Sequence, residues 1–179
     1  MIAVSEDNAF ALPQGVDLAS AGAAPVAAIT AVAAYDALAL AEGETVLVVG
    51  ATGGVGTFFV QLAASAEATV IAPGLPEDHD YLIGLGVTEL LDRNADLSAT
   101  VREKHPVGVD AVLDCVSQAP DASLLKEGGR LASPIGAAGE GPGRFNVMAV
   151  SSPAAIGRLA ELLGAGTLRV GLIHRSGML

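Results

Sequence analysis

The sequence predicts an α/β domain built on a doubly wound parallel sheet of about six strands in the order 3-2-1-4-5-6. Three observations predict it. Short runs of Val, Leu, Ile and Ala alternate with longer stretches of helical period, the pattern of repeating strand–helix units. The run Val46-Leu47-Val48-Val49 is apolar at every position, as in a parallel strand covered on both faces. A glycine turn, Gly50-Ala51-Thr52-Gly53-Gly54-Val55-Gly56, follows that run at once and leads into a helix. Right-handed crossovers then give the strand order.

Taken in order, residues 1–4 read as a strand and 5–15 as a loop closed by Pro13 and Gly15. Residues 27–40 form a helix that ends near Gly43, and 45–49 are the first strand. The next helix starts near Val55 and carries Phe58, Phe59, Leu62, Ala63 and Ala66 on a period near 3.6 residues. The second strand is 69–72, followed by the loop Pro73-Gly74-Leu75-Pro76 and a short helix over 78–83. A third short strand covers 90–91, a helix covers 95–104 and stops before Pro106, and 109–115 form the fourth strand. A helical turn over 122–126 leads to the fifth strand, 130–134. A glycine-rich loop covers 136–143, and a helix over 153–163 begins with Pro153 in its first turn. The sixth strand is expected at 168–173.

The glycine turn carries the chemistry. A buried strand, a glycine-rich bend and a helix N-terminus present bare amides and the positive end of the helix dipole to an anion. Gly53 and Gly54 allow close approach of phosphates, and Gly56 allows the helix to pack tightly on the strand. With the second strand in place this is a βαβ unit of about 30 residues, the context in which such a turn holds a dinucleotide diphosphate. A tight strand–helix bend in some other α/β protein is the plainer alternative.

The pattern runs Ala-x-Gly-Gly-x-Gly, with Ala51 where a first glycine usually stands. From Gly43 to Gly56, and on through Gln61-Leu62-Ala63, the chain resembles the medium-chain dehydrogenase/reductase superfamily, best its zinc-free quinone oxidoreductase branch. Residues 12–18, 23–31, Leu85-Gly86-Val87, Gly108-Val109-Asp110-Ala111-Val112-Leu113-Asp114 and Gly128-Gly129-Arg130-Leu131-Ala132 follow in the family's order. The resemblance implies a Rossmann-type domain, with residues 1–22 the remnant of a catalytic-lobe strand and linker and residues 23–179 the dinucleotide-binding domain. It also implies a small-molecule cofactor, NADPH or NADH, hydride transfer to a small electrophilic substrate, and a second lobe that supplies much of the substrate pocket. A chain of 179 residues fits one domain and leaves no room for that lobe, so a fragment inactive by itself is expected.

At the switch between strands one and four, the expected cofactor contacts are Thr52, Gly53, Gly54, Val55 and Gly56 for the diphosphate. Cys115, Val116 and Ser117 at the end of strand four would line the adenosine and ribose side, with Pro134, Ile135 and Gly136 after strand five toward the nicotinamide. By resemblance Thr30 lies near the nicotinamide end. Cys115 is equally a small buried residue, and Thr30 equally a residue bonded within its own helix. At the adenosine ribose, Pro73 stands near where an NAD site carries a carboxylate. No Lys or Arg occurs before Arg93, so the usual basic residues for the 2′-phosphate are absent and the choice between the dinucleotides stays open. The family's His-Asp-Tyr-Leu sequence is intact at 79–82, but Leu75 and Glu77 replace the Ser and Arg that NADPH users often carry before it.

Further readings follow from composition. A formal charge of −11, with twelve acidic residues ahead of the first basic one, excludes nucleic acid as an expected partner. The uncharged run 18–35 is alanine-rich, broken by Pro25 and flanked by Asp17 and Asp36, so no membrane association is expected. One cysteine excludes a disulfide framework, and a cytoplasmic location is expected. His79, His105 and His174 fall at no metal-ligand spacing, so no metal site is expected; no catalytic residue is assigned. A non-catalytic nucleotide-binding or dimerisation module, with a homodimer paired through 168–173, is the competing reading. A short-chain reductase would need a Tyr-x-x-x-Lys pair after strand four, and the only tyrosines are Tyr35 and Tyr81.

Overall fold

A computed structural model describes residues 18–170 and, ahead of them, Gln14 and Val16. The expected strand at 1–4 lies outside the described residues. The elements are α1 (Leu18–Ala23), α2 (Pro25–Leu38), β1 (Thr45–Val49), α3 (Gly54–Ser65), β2 (Thr69–Gly74), α4 (His79–Leu85), β3 (Glu89–Asp92), α5 (Leu97–Lys104), β4 (Val109–Asp114), β5 (Leu125–Ser133), β6 (Arg144–Asn146) and α6 (Pro153–Gly164). The six strands form one sheet in the order β3-β2-β1-β4-β5-β6, every pairing parallel. The fold is the predicted Rossmann-type one.

β1 and β4 occupy the centre, which is why they are apolar along almost their whole length. Val46 pairs with Val70 on one side and Ala111 on the other, and Val49 pairs with Asp114. The alternation of strand side chains divides the core in two. Val46, Val48, Val70, Ala72, Ala111, Leu113 and Ala132 face one layer, which holds Phe59 of α3, Leu82 of α4 and Leu159 of α6. Leu47, Ile71, Leu91, Val112 and Leu131 face the other, where Val101 of α5 and Leu124 pack.

α2 is apolar on nearly every side because it is buried on most sides, between α3, β5 and α6. Alanines at 28, 31 and 34, none of them exposed, let it approach closely. Tyr35 meets Phe59 edge to face, with ring centroids 6.4 Å apart. Capping follows the sequence: Pro25 opens α2, Asp96 caps α5 by accepting from the Ala99 amide at 3.0 Å, and Ser152 caps α6 by accepting from the Ala155 amide at 3.1 Å.

The sixth strand is a correction. It is Arg144–Asn146, beside β5, and not 168–173. The glycine-rich stretch before it turns the chain back through positive φ at Gly136, Gly139, Gly141 and Gly143, and a Cβ on Gly143 would lie 2.8 Å from the Gly129 carbonyl oxygen. Three residues, two of them polar, leave too short a pattern to read. Residues 168–170 are described and form no strand, while 171–173 lie outside the described residues. Leu168 is buried, its amide bonds to the Leu162 carbonyl at the end of α6, and the Gln61 side chain takes both the amide and the carbonyl of Arg169. Those backbone groups are satisfied without a ladder. The segment named for pairing in the competing dimer reading is thus not a strand over its described residues, 168–170.

Candidate cofactor cleft

The parallel sheet ends in a cleft of about 540 Å³ beyond the carboxyl ends of β1, β2, β4 and β5. Its floor is the glycine turn. Gly50 turns at φ +90°, a conformation that favours glycine, and a Cβ there would strike Val116 at 2.8 Å. The Gly53 amide then donates to the Gly50 carbonyl at 3.0 Å, closing the bend. Gly56 is the tightest position of all: an added Cβ would stand 2.2 Å from the Gly50 oxygen. That contact presses the first turn of α3 against the end of β1.

The same packing leaves donors facing out. α3 begins at Gly54 with Gly53 as its cap residue, and no side chain caps it. The Thr57 amide reaches the Gly53 carbonyl at 2.9 Å, while the amides of Gly54, Val55 and Gly56 have no acceptor among the described residues. Gly53 and Gly54 are exposed. An anion seated here meets three aligned N–H groups and the positive end of a helix of 12 residues.

Of the eleven residues the sequence nominated, Thr30, Thr52, Gly53, Gly54, Val55, Gly56, Pro73, Cys115, Val116 and Ile135 line this one cleft. Gly136 does not; it turns away at φ +81° in the loop that follows. Thr30 lines the cleft and also donates its hydroxyl to the Val26 carbonyl at 2.7 Å, a bond within its own helix. Cys115 is largely buried, and burial, with the Asp114 charge beside it, pushes its thiol up to about 12. It is a neutral, inert wall at physiological pH.

The carboxylates of β4 are structural. Asp114 accepts from the Val116 and Ser117 amides at 2.9 and 2.8 Å and so shapes the loop that forms one cleft wall. Asp110 lies at the opposite end of the strand, accepts from the Thr45 amide at 3.0 Å and pairs with Lys126. Burial opposes its charge, but the Lys126 ammonium and the Thr45 amide outweigh it and hold the carboxyl below the usual carboxylate range.

Sequence reasoning nominated neither of the two charged residues that line the cleft. Asp78 lines the wall beyond β2, buried, with a carboxylate oxygen 3.3 Å from the Leu75 amide. Arg93, the first residue after β3, lines the same wall, and its amide donates to the Gly74 carbonyl at 3.0 Å. The available signal was positional: parallel strands end level with one another, so the residue following each strand faces the cleft. His79, which opens the intact His-Asp-Tyr-Leu sequence, lies against Asp80 at 3.0 Å and does not line the cleft. Among the described residues no group of three His, Cys, Asp or Glu side chains is placed to hold a metal ion. No described helix is long and apolar enough to cross a membrane.

Comparison with known proteins agrees with this geometry. Residues 54–165 match the zinc-binding dehydrogenase family. The chain is 34% identical over 114 residues to the chloroplast envelope quinone oxidoreductase homolog of Arabidopsis thaliana, covering 60% of this chain and 35% of that protein. It is 35% identical over 133 residues to acrylyl-CoA reductase AcuI of Ruegeria pomeroyi, covering 72% of this chain and 39% of that one. The solved quinone oxidoreductase of Coxiella burnetii superposes with a TM-score of 0.78 at 24% identity, over 92% of this chain and 55% of the other. The chain thus spans about a third to a half of the length of these proteins. It belongs to the zinc-binding dehydrogenase family, as the Rossmann-type part of a quinone oxidoreductase-like member of the medium-chain dehydrogenase/reductase superfamily.

Proposed function

We propose that this chain is the dinucleotide-binding domain of an NAD(P)H-dependent oxidoreductase acting on a small electron-poor substrate of the quinone or enone type. The observation that carries the reading is the set of three acceptor-free amides at Gly54, Val55 and Gly56 on the floor of an open cleft at the switch between β1 and β4. When bound, the nicotinamide supplies a hydride to an electron-deficient carbon. The chain's own residues bind and orient. The glycine turn holds the diphosphate, Thr30 lines the cleft with its hydroxyl hydrogen committed to Val26, and Ile135 and Val116 give an apolar surface at the far wall. The Cys115 thiol, pushed up to about 12, gives up its proton poorly, and Asp114 is spent on its own loop. A proton, where the reaction needs one, comes from water or from the second lobe that the family resemblance implies. The relatives named for quinone and acrylyl-CoA reduction favour the same substrate class.

The test is direct binding followed by turnover. The purified chain should bind NADPH or NADH by calorimetry, with no reduction of a benzoquinone or an enone by this chain alone. Absence of binding for both nucleotides at millimolar concentration would reject the reading and favour a non-catalytic module. Vigorous quinone reduction would reject the need for a second lobe.

A further inference from the structure

We propose that Arg93 selects between the dinucleotides, its guanidinium taking the 2′-phosphate of the adenosine ribose so that the cleft prefers NADPH to NADH. This rests on the dinucleotide reading above and assigns the end of the cleft that the sequence left undecided. Three observations carry it.

The first is position. The amide of Arg93 is bonded to the Gly74 carbonyl, so the residue stands level with the last residue of β2, on the wall where an adenosine ribose lies in this fold. Arg93 is the one Lys or Arg that lines the cleft among the described residues.

The second is what the end of β2 cannot be. An NAD site places a carboxylate there for the ribose diol. Here Pro73 and Gly74 occupy it, and a Cβ on Gly74 would lie 2.8 Å from Leu82 Cδ1 and 2.9 Å from Leu90 Cδ1. A side chain at position 74 would have to displace both leucine methyls, that of Leu82 from the buried core. Asp78 is nearby, but one of its oxygens faces the Leu75 amide. Asp92 accepts from the Asn94 amide at 2.8 Å, and Asp80 lies against His79. The neighbouring acids therefore have partners of their own, and Glu77 is exposed without lining the cleft.

The third is availability. Arg102, Lys104, Lys126, Arg130 and Arg158 are each held in an ion pair. The guanidinium of Arg93 has no hydrogen bond and no ion pair among the described residues. Its planar fork suits two phosphate oxygens at once, and it stays charged at every relevant pH.

The test uses the 179-residue chain and its Arg93→Ala and Arg93→Lys variants, by calorimetry at fixed low salt. The probes are NADPH, NADH, AMP and adenosine 2′,5′-bisphosphate, the last two differing only in the 2′-phosphate. The intact chain should bind the bisphosphate about tenfold or more tightly than AMP, and NADPH more tightly than NADH by a similar factor. Arg93→Ala should erase both gains, so that the bisphosphate binds no more tightly than AMP and NADPH no more tightly than NADH; Arg93→Lys should keep part of them. Equal binding of the two adenosine probes by the intact chain, or a preference that survives Arg93→Ala, overturns the proposal while NADH binding leaves the parent reading standing. Failure of all four probes to bind at millimolar concentration overturns both.

Discussion

Gly53 is where binding and folding can be separated by one substitution. It caps α3 with φ −82° and ψ 169°, a backbone that any residue adopts. A Cβ there would lie 3.3 Å from the Gly50 carbonyl oxygen, a contact relieved by a shift of a few tenths of an ångström. Asp is among the best cap residues, and its carboxylate would bond one of the acceptor-free amides, for a gain over Gly of roughly a few tenths of a kcal/mol. The two effects oppose each other, so Gly53→Asp should move stability by no more than about 1 kcal/mol, roughly 2–4 °C in Tm. Binding should respond very differently. The new carboxylate fills the anion position and repels the diphosphate. A pair of unit charges about 4 Å apart costs roughly 1 kcal/mol in water and about 4 at an effective dielectric of 20. For a half-open turn and two phosphate charges, about 2–4 kcal/mol is expected, or roughly 30- to 1,000-fold weaker binding. The assay is a titration followed by the nucleotide's own fluorescence, which the chain's lack of tryptophan leaves uncluttered. A folded Gly53→Asp protein with affinity within about threefold of the parent would refute the amide cradle as the binding element.

Other expectations follow from neighbouring residues. Gly56→Ala drives a methyl to 2.2 Å from the Gly50 oxygen and 2.8 Å from Ala51 Cα, both backbone, so it should cost about 3 kcal/mol or more in urea unfolding; a parent-like midpoint would contradict the packing. Cys115, with its thiol raised from 9.0 to about 12, should react with iodoacetamide far more slowly in the native chain at pH 8 than in urea. Because the folded value lies above the unfolded one, its contribution to stability is complete below pH 9.0 and fades as pH rises toward 12, so Cys115→Ala should flatten that alkaline loss. Asp110 has the opposite sign: its depressed carboxyl stabilises above the ordinary value of 3.8 and the effect is lost as pH falls through the folded value. Urea midpoints of the parent and Asp110→Asn should therefore converge as pH drops below 3.8, and a constant gap would show that the Lys126 pairing contributes nothing to acid sensitivity.

What the sequence made legible is what local pattern and fold rules jointly dictate. β1 and β4 were readable because a strand buried on both faces must be apolar throughout, and the glycine turn because close backbone approach excludes any Cβ. Gly56 shows that exclusion at its most severe, 2.2 Å from the Gly50 oxygen. β6 was not readable, since Arg144-Phe145-Asn146 is too short for a period and is placed by four glycine turns before it. The apolar pattern at Leu168 was genuine but its meaning was tertiary: the residue fills the core beside α6, and Gln61, 108 positions away, satisfies its neighbour. Arg93 escaped because its role depends on where β3 ends in space, level with Gly74.

The cleft is graded from one side of the sheet to the other, and the grading matches the chemistry of a dinucleotide. Beyond β3 stands an unpaired guanidinium. At β1 come neutral backbone donors and a helix dipole, suited to a diphosphate shared between amides rather than neutralised by a fixed cation. Beyond β4 and β5 the wall turns apolar, with Val116 58% and Ile135 43% exposed, the partial exposure suiting the face of a flat ring. A chain of net charge −11 attracts no anion through its overall field, so affinity for so negative a ligand has to arise from donors fixed at short range. Those donors reach the end of β1 because Gly56 carries no side chain, which makes the glycine that allows α3 to dock on β1 a condition of the binding surface as well.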